Sequence, residues 1–251
     1  MSLSETEQDD PARGEPEPSR AAGRIQHLRE HWMSYGLIAV FVLVYFYELW
    51  YSNRLGTRSM RIDSRVLLYL GANFPSAFMA GEYWRAFTSC FLHLDGMHLF
   101  MNSMALYYFG PLIERSFGPW RLLLAFVLTG VFGSLATILL HLNTPYLSAG
   151  ASGGLYGLFG VIFVAGKRYR AGLPKEFQTW LNQTLGALVI FSFIPYIDMW
   201  AHFGGLASGL ILGLLYRPRQ AHEAESLLGE PLEQKHPERE QENSTSPDDQ
   251  A

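Results

Sequence analysis

The sequence has a single cysteine, Cys90, in 251 residues. No internal disulfide can form, so the fold must hold by packing alone, and cysteine usage leaves the redox compartment open. A lone thiol in apolar surroundings is expected as a small buried side chain. Charge is scarce too, at 17% against 49% hydrophobic residues, and it is unevenly placed. Residues 1–31 carry seven acidic and four basic side chains, residues 218–251 nine and three, and the segment between seven and twelve. The net charge of −4 therefore hides a core at +5 between tails at −3 and −6. Polar, Pro-containing tails do not bury enough apolar surface to fold. Both are expected to be disordered, with residues 32–217 as the folded domain. The acidic start resembles neither a secretory signal nor an Arg-rich leader, and the first apolar run begins only near Tyr35. That run, Tyr35–Tyr51, is expected to stay in the mature protein as a membrane helix.

What is present is apolar sequence in blocks. Six runs, near 35–51, 97–113, 120–141, 151–166, 179–195 and 199–216, approach the ~20 residues that span a bilayer. The expected architecture is an all-α polytopic membrane protein with six transmembrane helices. Trp32, Trp50 and Tyr51 bracket the first run as interfacial anchors. An even number of spans puts both tails on one side, and positive charge in the connections says which. Arg115 and Arg121 flank the second connection, Lys167, Arg168, Arg170 and Lys175 fill the fourth, and Arg217 and Arg219 follow the last run. The third and fifth connections carry only Asp198. Both termini are therefore expected to be cytoplasmic. One connection disagrees: residues 52–96 hold Arg54, Arg58, Arg61, Arg65 and Arg85, yet fall outside. The apolar pieces Val66–Ala72 and Phe74–Ala80 point to short helices half-sunk in the outer leaflet, a structured cap.

Depth follows from helical rise. Ser152 lies fourteen residues before Gly166 at the cytoplasmic edge, and His202 fifteen before Arg217, which lifts them ~21 and ~22 Å. Asn102 and His98 precede Arg115 by thirteen and seventeen residues, or ~20 and ~25 Å. Four polar groups thus reach one level, roughly 5–10 Å below the outer surface of a ~30 Å core. Glycines supply lateral approach. Gly153 and Gly157 sit one turn apart, and Gly205, Gly209 and Gly213 repeat every four residues; small residues at this spacing let membrane helices close on one another. If the two stripes face each other, Ser152 and His202 meet.

Serine becomes a nucleophile when a base within reach takes its proton, and histidine suits that task. No acidic residue in the fourth or sixth run is placed to orient the imidazole, since Asp198 lies four residues before His202 and near the surface. The expectation is a dyad, with Tyr156, one turn from Ser152, stacked on the imidazole. The plainer alternative is that Ser152 only hydrogen-bonds a neighbouring helix, the commoner fate of membrane serines. His98 and Asn102 share one helical face at the right depth, and with the Ser152 N–H at a helix start they could serve as oxyanion donors. A zinc site is rejected: His93 and His98 fall ~140° apart on a helix, and no carboxylate or cysteine completes a set. His93 is expected to hydrogen-bond the first loop, and His141 to sit at the interface. No metal, cofactor or nucleic-acid partner is expected.

These residues resemble the rhomboid family of intramembrane serine proteases. The resemblance rests on Glu82-Tyr83-Trp84-Arg85, on His93-x4-His98-x3-Asn102, on Gly150-x-Ser152-Gly153 with Tyr156, and on Ala201-His202-x2-Gly205-x3-Gly209. It covers about residues 35–217 and implies a six-helix rhomboid-like bundle with a membrane-embedded first loop. It implies Ser152 as nucleophile, His202 as base, and His98, Asn102 and the Ser152 N–H as the oxyanion site. Trp84 and Arg85 would anchor the first loop, and Thr179–Pro195 would be the lateral gate for substrate helices. The expected partners are transmembrane protein substrates and the lipid bilayer, and the oligomeric state is left open. The expected setting is a bacterial plasma membrane. Two rivals stand beside this reading: an inactive relative that holds membrane clients, and a transporter. Transporters usually show paired halves with broken helices, and no such repeat is found here.

Overall fold

A computed structural model of the chain describes residues 27–169 and 174–217. Most of the 1–31 and 218–251 tails therefore lie outside the described residues; residues 27–30 form a helical turn. Nine helices follow among the described residues: α1 (Trp32–Arg54), α2 (Ser64–Leu70), α3 (Pro75–Met79), α4 (Arg85–Thr88), α5 (Gly96–Phe117), α6 (Pro119–Leu140), α7 (Ser152–Arg168), α8 (Lys175–Phe191) and α9 (Met199–Leu215). A 3₁₀ turn, Ser89–Phe91, extends α4, and the only β-pairing among these residues is two isolated bridges.

Helices α1 and α6 are long and apolar enough to cross a membrane, and α9 is apolar but shorter. Helix α5 has 22 residues but carries His98, Asn102, Glu114 and Arg115, while α7 and α8 have 17 residues each. Length and composition thus single out two of the six expected crossings. Large apolar side chains nevertheless point outwards around the bundle, among them Leu43, Phe46, Tyr108, Trp120, Leu139 and Ile211.

Local chemistry accounts for the helix ends. The Asp95 side chain accepts from His98 N at 2.9 Å and caps α5. Gly118, at φ 97°, ends α5, and Pro119 opens α6 at the position where a missing N–H costs nothing. Helix α1 is capped from a distance: Glu114 on α5 accepts from Met33 N, Ser34 N and Ser34 Oγ at 3.0, 2.9 and 2.6 Å. A carboxylate there satisfies donors that the helix leaves open and opposes the positive end of its dipole. Helix α8 departs from expectation by four residues at each end. It stops at Phe191, short of Pro195, with Ser192 still helical in φ and ψ.

Helices α6, α7 and α9 pack together, α1 lies along α5, and α8 rests chiefly on α7, with Leu181 buried. The glycine stripes face one another as expected. A Cβ on Gly205 would overlap the Gly153 carbonyl oxygen, and one on Gly209 the Gly157 carbonyl oxygen. Cys90 is buried against Gly130, as expected.

The first loop is a cap with its own hydrophobic cluster, including Ile62, Val66, Leu67 and Leu92. Arg85, 9% exposed, donates to the carbonyls of Leu68 and Ala72 at 2.8 and 3.0 Å and pairs with Glu82. Trp84 is exposed, with its indole nitrogen near Gly71. The Arg65 guanidinium beside Asp63 holds that carboxyl well below the usual carboxylate range. Two of the five loop arginines are thus in ion pairs, and Arg54 lies 4.9 Å over the Trp50 ring. Asn73 and Ser148 exchange both backbone hydrogen bonds, tying the cap to the segment that leads into α7.

Candidate active site

Ser152 is the first residue of α7, and His202 lies in the first turn of α9. Their fifty-residue separation closes to 2.9 Å between Ser152 Oγ and His202 Nε2. The glycine contacts below them permit this approach, because only backbone separates the two helices. Tyr156 stacks on the imidazole with centroids 3.9 Å apart and planes 19° from parallel. Its hydroxyl donates to Leu188 O on α8 at 2.9 Å. His202 is 2% exposed, so the ring is held by protein on all sides.

The approach to Ser152 runs through Gly150, whose N–H donates to Ser89 O at 2.9 Å. Gly150 has φ 148°, and a Cβ there would stand 2.8 Å from His98 Nε2 and 3.7 Å from Ser152 Oγ. Any larger residue would therefore strain the turn and push the His98 ring away. The His98 ring edge and the Ser152 hydroxyl converge on one spot. Asn102, one turn along α5, is 5% exposed, and its Nδ2 donates to no acceptor among the described residues. The Ser152 N–H, at the start of α7, has no acceptor within its own helix. Donors such as these, where they converge on a hydroxyl–imidazole pair, can stabilise an oxygen that gains negative charge.

His93 behaves differently from the expectation. Its ring nitrogens are buried without a hydrogen-bond partner, and the ring packs against Phe41 and His98 at 5.3 and 5.4 Å. The backbone N–H makes the tie instead, to both carboxylate oxygens of Glu48 on α1 at 3.3 Å. Asp198 is near the site but faces elsewhere. It accepts from Thr137 Oγ1, Ser148 Oγ and Ala201 N, pinning the start of α9 to α6 and to the loop before Ser152. His141 is half-buried and stacks on Tyr146 at 3.9 Å. Burial raises the Tyr146 phenol to about 12.

Two contacts escaped the sequence reading. Glu48 is fully buried, and an acid inside an apolar run was the signal for it. Ser192, at the end of α8, places its Oγ 3.1 Å from His202 Nδ1. It was hidden because an apolar run does not show which face of α8 meets His202; Ser192 itself keeps helical φ and ψ.

Comparison with known proteins follows the same residues. The Rhomboid domain model matches residues 80–219. The rhomboid protein YdcA of Bacillus subtilis is 36% identical over 138 residues, covering 54% of this chain and 68% of that protein. Rhomboid protease GluP of Bacillus subtilis is 33% identical over 152 residues, 59% of this chain and 29% of that protein. Inactive RHOMBOID-like protein 8 of Arabidopsis thaliana is 33% identical over 149 residues, 55% of this chain and 40% of that protein. The match thus spans about two thirds of the first relative and well under half of the other two. With half of the sequence matched by the family model, the chain belongs to the rhomboid family of integral membrane proteins.

Proposed function

We propose that this protein is an intramembrane serine endopeptidase that cleaves other membrane proteins in or near their transmembrane segments. The observation that carries the reading is the 2.9 Å contact between His202 Nε2 and Ser152 Oγ in a buried, apolar setting. His202 takes the Ser152 proton as the oxygen attacks the scissile carbonyl, and returns it to the leaving amine. His98, Asn102 and the Ser152 N–H receive the oxyanion. Six helices, α1 and α5 to α9, cross the membrane, with residues 32–217 as the protease domain and both termini cytoplasmic. The first loop, held through Arg85 with Trp84 at the interface, lies in the outer leaflet of a bacterial plasma membrane. Substrate helices enter beside α8, where Phe177, Trp180 and Thr184 face Tyr108 and Leu112 across a groove.

The second reading, a client-binding protein without activity, is favoured by one relative's name alone, that of the inactive Arabidopsis protein. Labelling of the purified protein with a fluorophosphonate separates the two. Labelling lost in both Ser152→Ala and His202→Ala, together with loss of cleavage of a transmembrane substrate, supports the protease. Absence of labelling in the wild-type protein supports the binder, and cleavage that survives either substitution refutes the dyad.

A further inference from the structure

We infer that Ser192 is a positioning residue for His202, holding the imidazole in the tautomer whose Nε2 is free to take the Ser152 proton. This rests on the dyad reading proposed above and adds a third side chain to it, contributed by α8.

Ser192 is 1% exposed, and its Oγ stands 2.9 Å from Leu188 O, 3.2 Å from Tyr156 Oη and 3.1 Å from His202 Nδ1. Leu188 O only accepts, and Tyr156 spends its own proton on that carbonyl. A serine hydroxyl has one hydrogen to give. Given to Leu188 O or to Tyr156 Oη, it leaves an Oγ lone pair facing Nδ1, and the pair is satisfied only if Nδ1 carries the proton. Nε2 is then the unprotonated nitrogen, and it faces Ser152 Oγ. In the opposite tautomer Ser192 must turn its one hydrogen to Nδ1, and its bond to Leu188 O or Tyr156 Oη is lost. The first arrangement keeps one more buried hydrogen bond than the second.

Among the described residues no carboxylate hydrogen-bonds the imidazole. Asp198 spends its oxygens on Thr137, Ser148 and Ala201 N. Ser192 therefore stands where an orienting acid stands in a triad, but it is neutral, so it sets the tautomer without stabilising the imidazolium by charge. Ser192 directly follows α8, keeps helical φ and ψ of −64° and −20°, and lies on the helical face that meets His202. A serine that merely back-bonds its own helix carbonyl would have no effect on the imidazole.

The test uses the full chain in detergent, with Ser192→Ala and Ser192→Thr beside Ser152→Ala and His202→Ala. Turnover of a single-span substrate, fluorophosphonate labelling rates and ¹⁵N NMR of the His202 ring are measured. The wild-type ring should show the Nδ1–H tautomer. Ser192→Ala should mix the tautomers and lower kcat and labelling about tenfold, the scale of one neutral hydrogen bond, with KM little changed. Ser192→Thr should restore most of the loss. An Nε2–H tautomer in the wild-type protein overturns the inference without any variant. So does a Ser192→Ala protein with wild-type kcat, or a loss that Ser192→Thr shares in full. Turnover retained in Ser152→Ala or His202→Ala would instead sink the dyad reading itself.

Discussion

Gly205 lies against Gly153 so closely that a single added methyl on Gly205 would overlap the Gly153 carbonyl oxygen. Three residues before Gly205 is His202, and one before Gly153 is Ser152. The backbone contact between α7 and α9 therefore sets the separation of hydroxyl and imidazole, and the reactive pair inherits the precision of a helix crossing.

Gly205→Ala and Gly209→Ala should each destabilise the protein by ~1–3 kcal/mol or more, since the obstruction is backbone and cannot rotate away. Gly186→Ala on α8 is the control: nothing lies within 4 Å of its added Cβ, and alanine gains up to ~1 kcal/mol over glycine in a helix. Thermal unfolding in detergent reads both. Equal melting temperatures for Gly205→Ala and wild type would mean that the helices do not meet this closely.

His98→Ala and Asn102→Ala should each reduce kcat without abolishing it, because the proposed oxyanion site shares the developing charge among three donors. Loss of one such donor costs on the order of 10²-fold, ~3 kcal/mol, where no other donor compensates. The double variant should lose more than either alone. A double variant with unchanged kcat would remove both residues from the site.

Arg85→Ala should lower the melting temperature, because the carbonyls of Leu68 and Ala72 lose their buried donor. Each unsatisfied group costs ~1–3 kcal/mol. Arg85→Lys should recover only part, since one ammonium lacks the planar fork that reaches both carbonyls and Glu82 together. Full recovery by lysine would show that charge alone matters there.

Cleavage should fall near the extracytoplasmic end of the substrate helix and be enhanced by Gly or Pro there. A helical substrate hides its scissile carbonyl in the hydrogen-bond ladder, and an unpaired backbone group in lipid costs several kcal/mol. Helix breakers lower the cost of unwinding. The small, glycine-lined surroundings of Ser152 favour a small residue just before the cut. Mass spectrometry of products from single-span substrates decides this. Cuts clustered at the cytoplasmic end, or rates indifferent to replacing those residues with Leu, would refute it.

The sequence by itself determined what depends on local backbone geometry. Helical rise gave Ser152, His202, His98 and Asn102 one expected level, and the four-residue glycine spacing showed which faces of α7 and α9 close on each other. Both follow from a period and a rise that every helix shares. Tertiary structure alone decided which partner each buried polar group finds. Glu48 reaches the His93 N–H across 45 positions of sequence, and Thr137 reaches Asp198 across 61. Glu114 caps a helix that begins 82 residues before it. Ser192, one residue past α8 and still helical in φ and ψ, meets His202 through a pairing that hydropathy does not register. A hydrogen bond needs its atoms placed to within a few tenths of an ångström, whereas apolar runs locate a helix end only to within a turn.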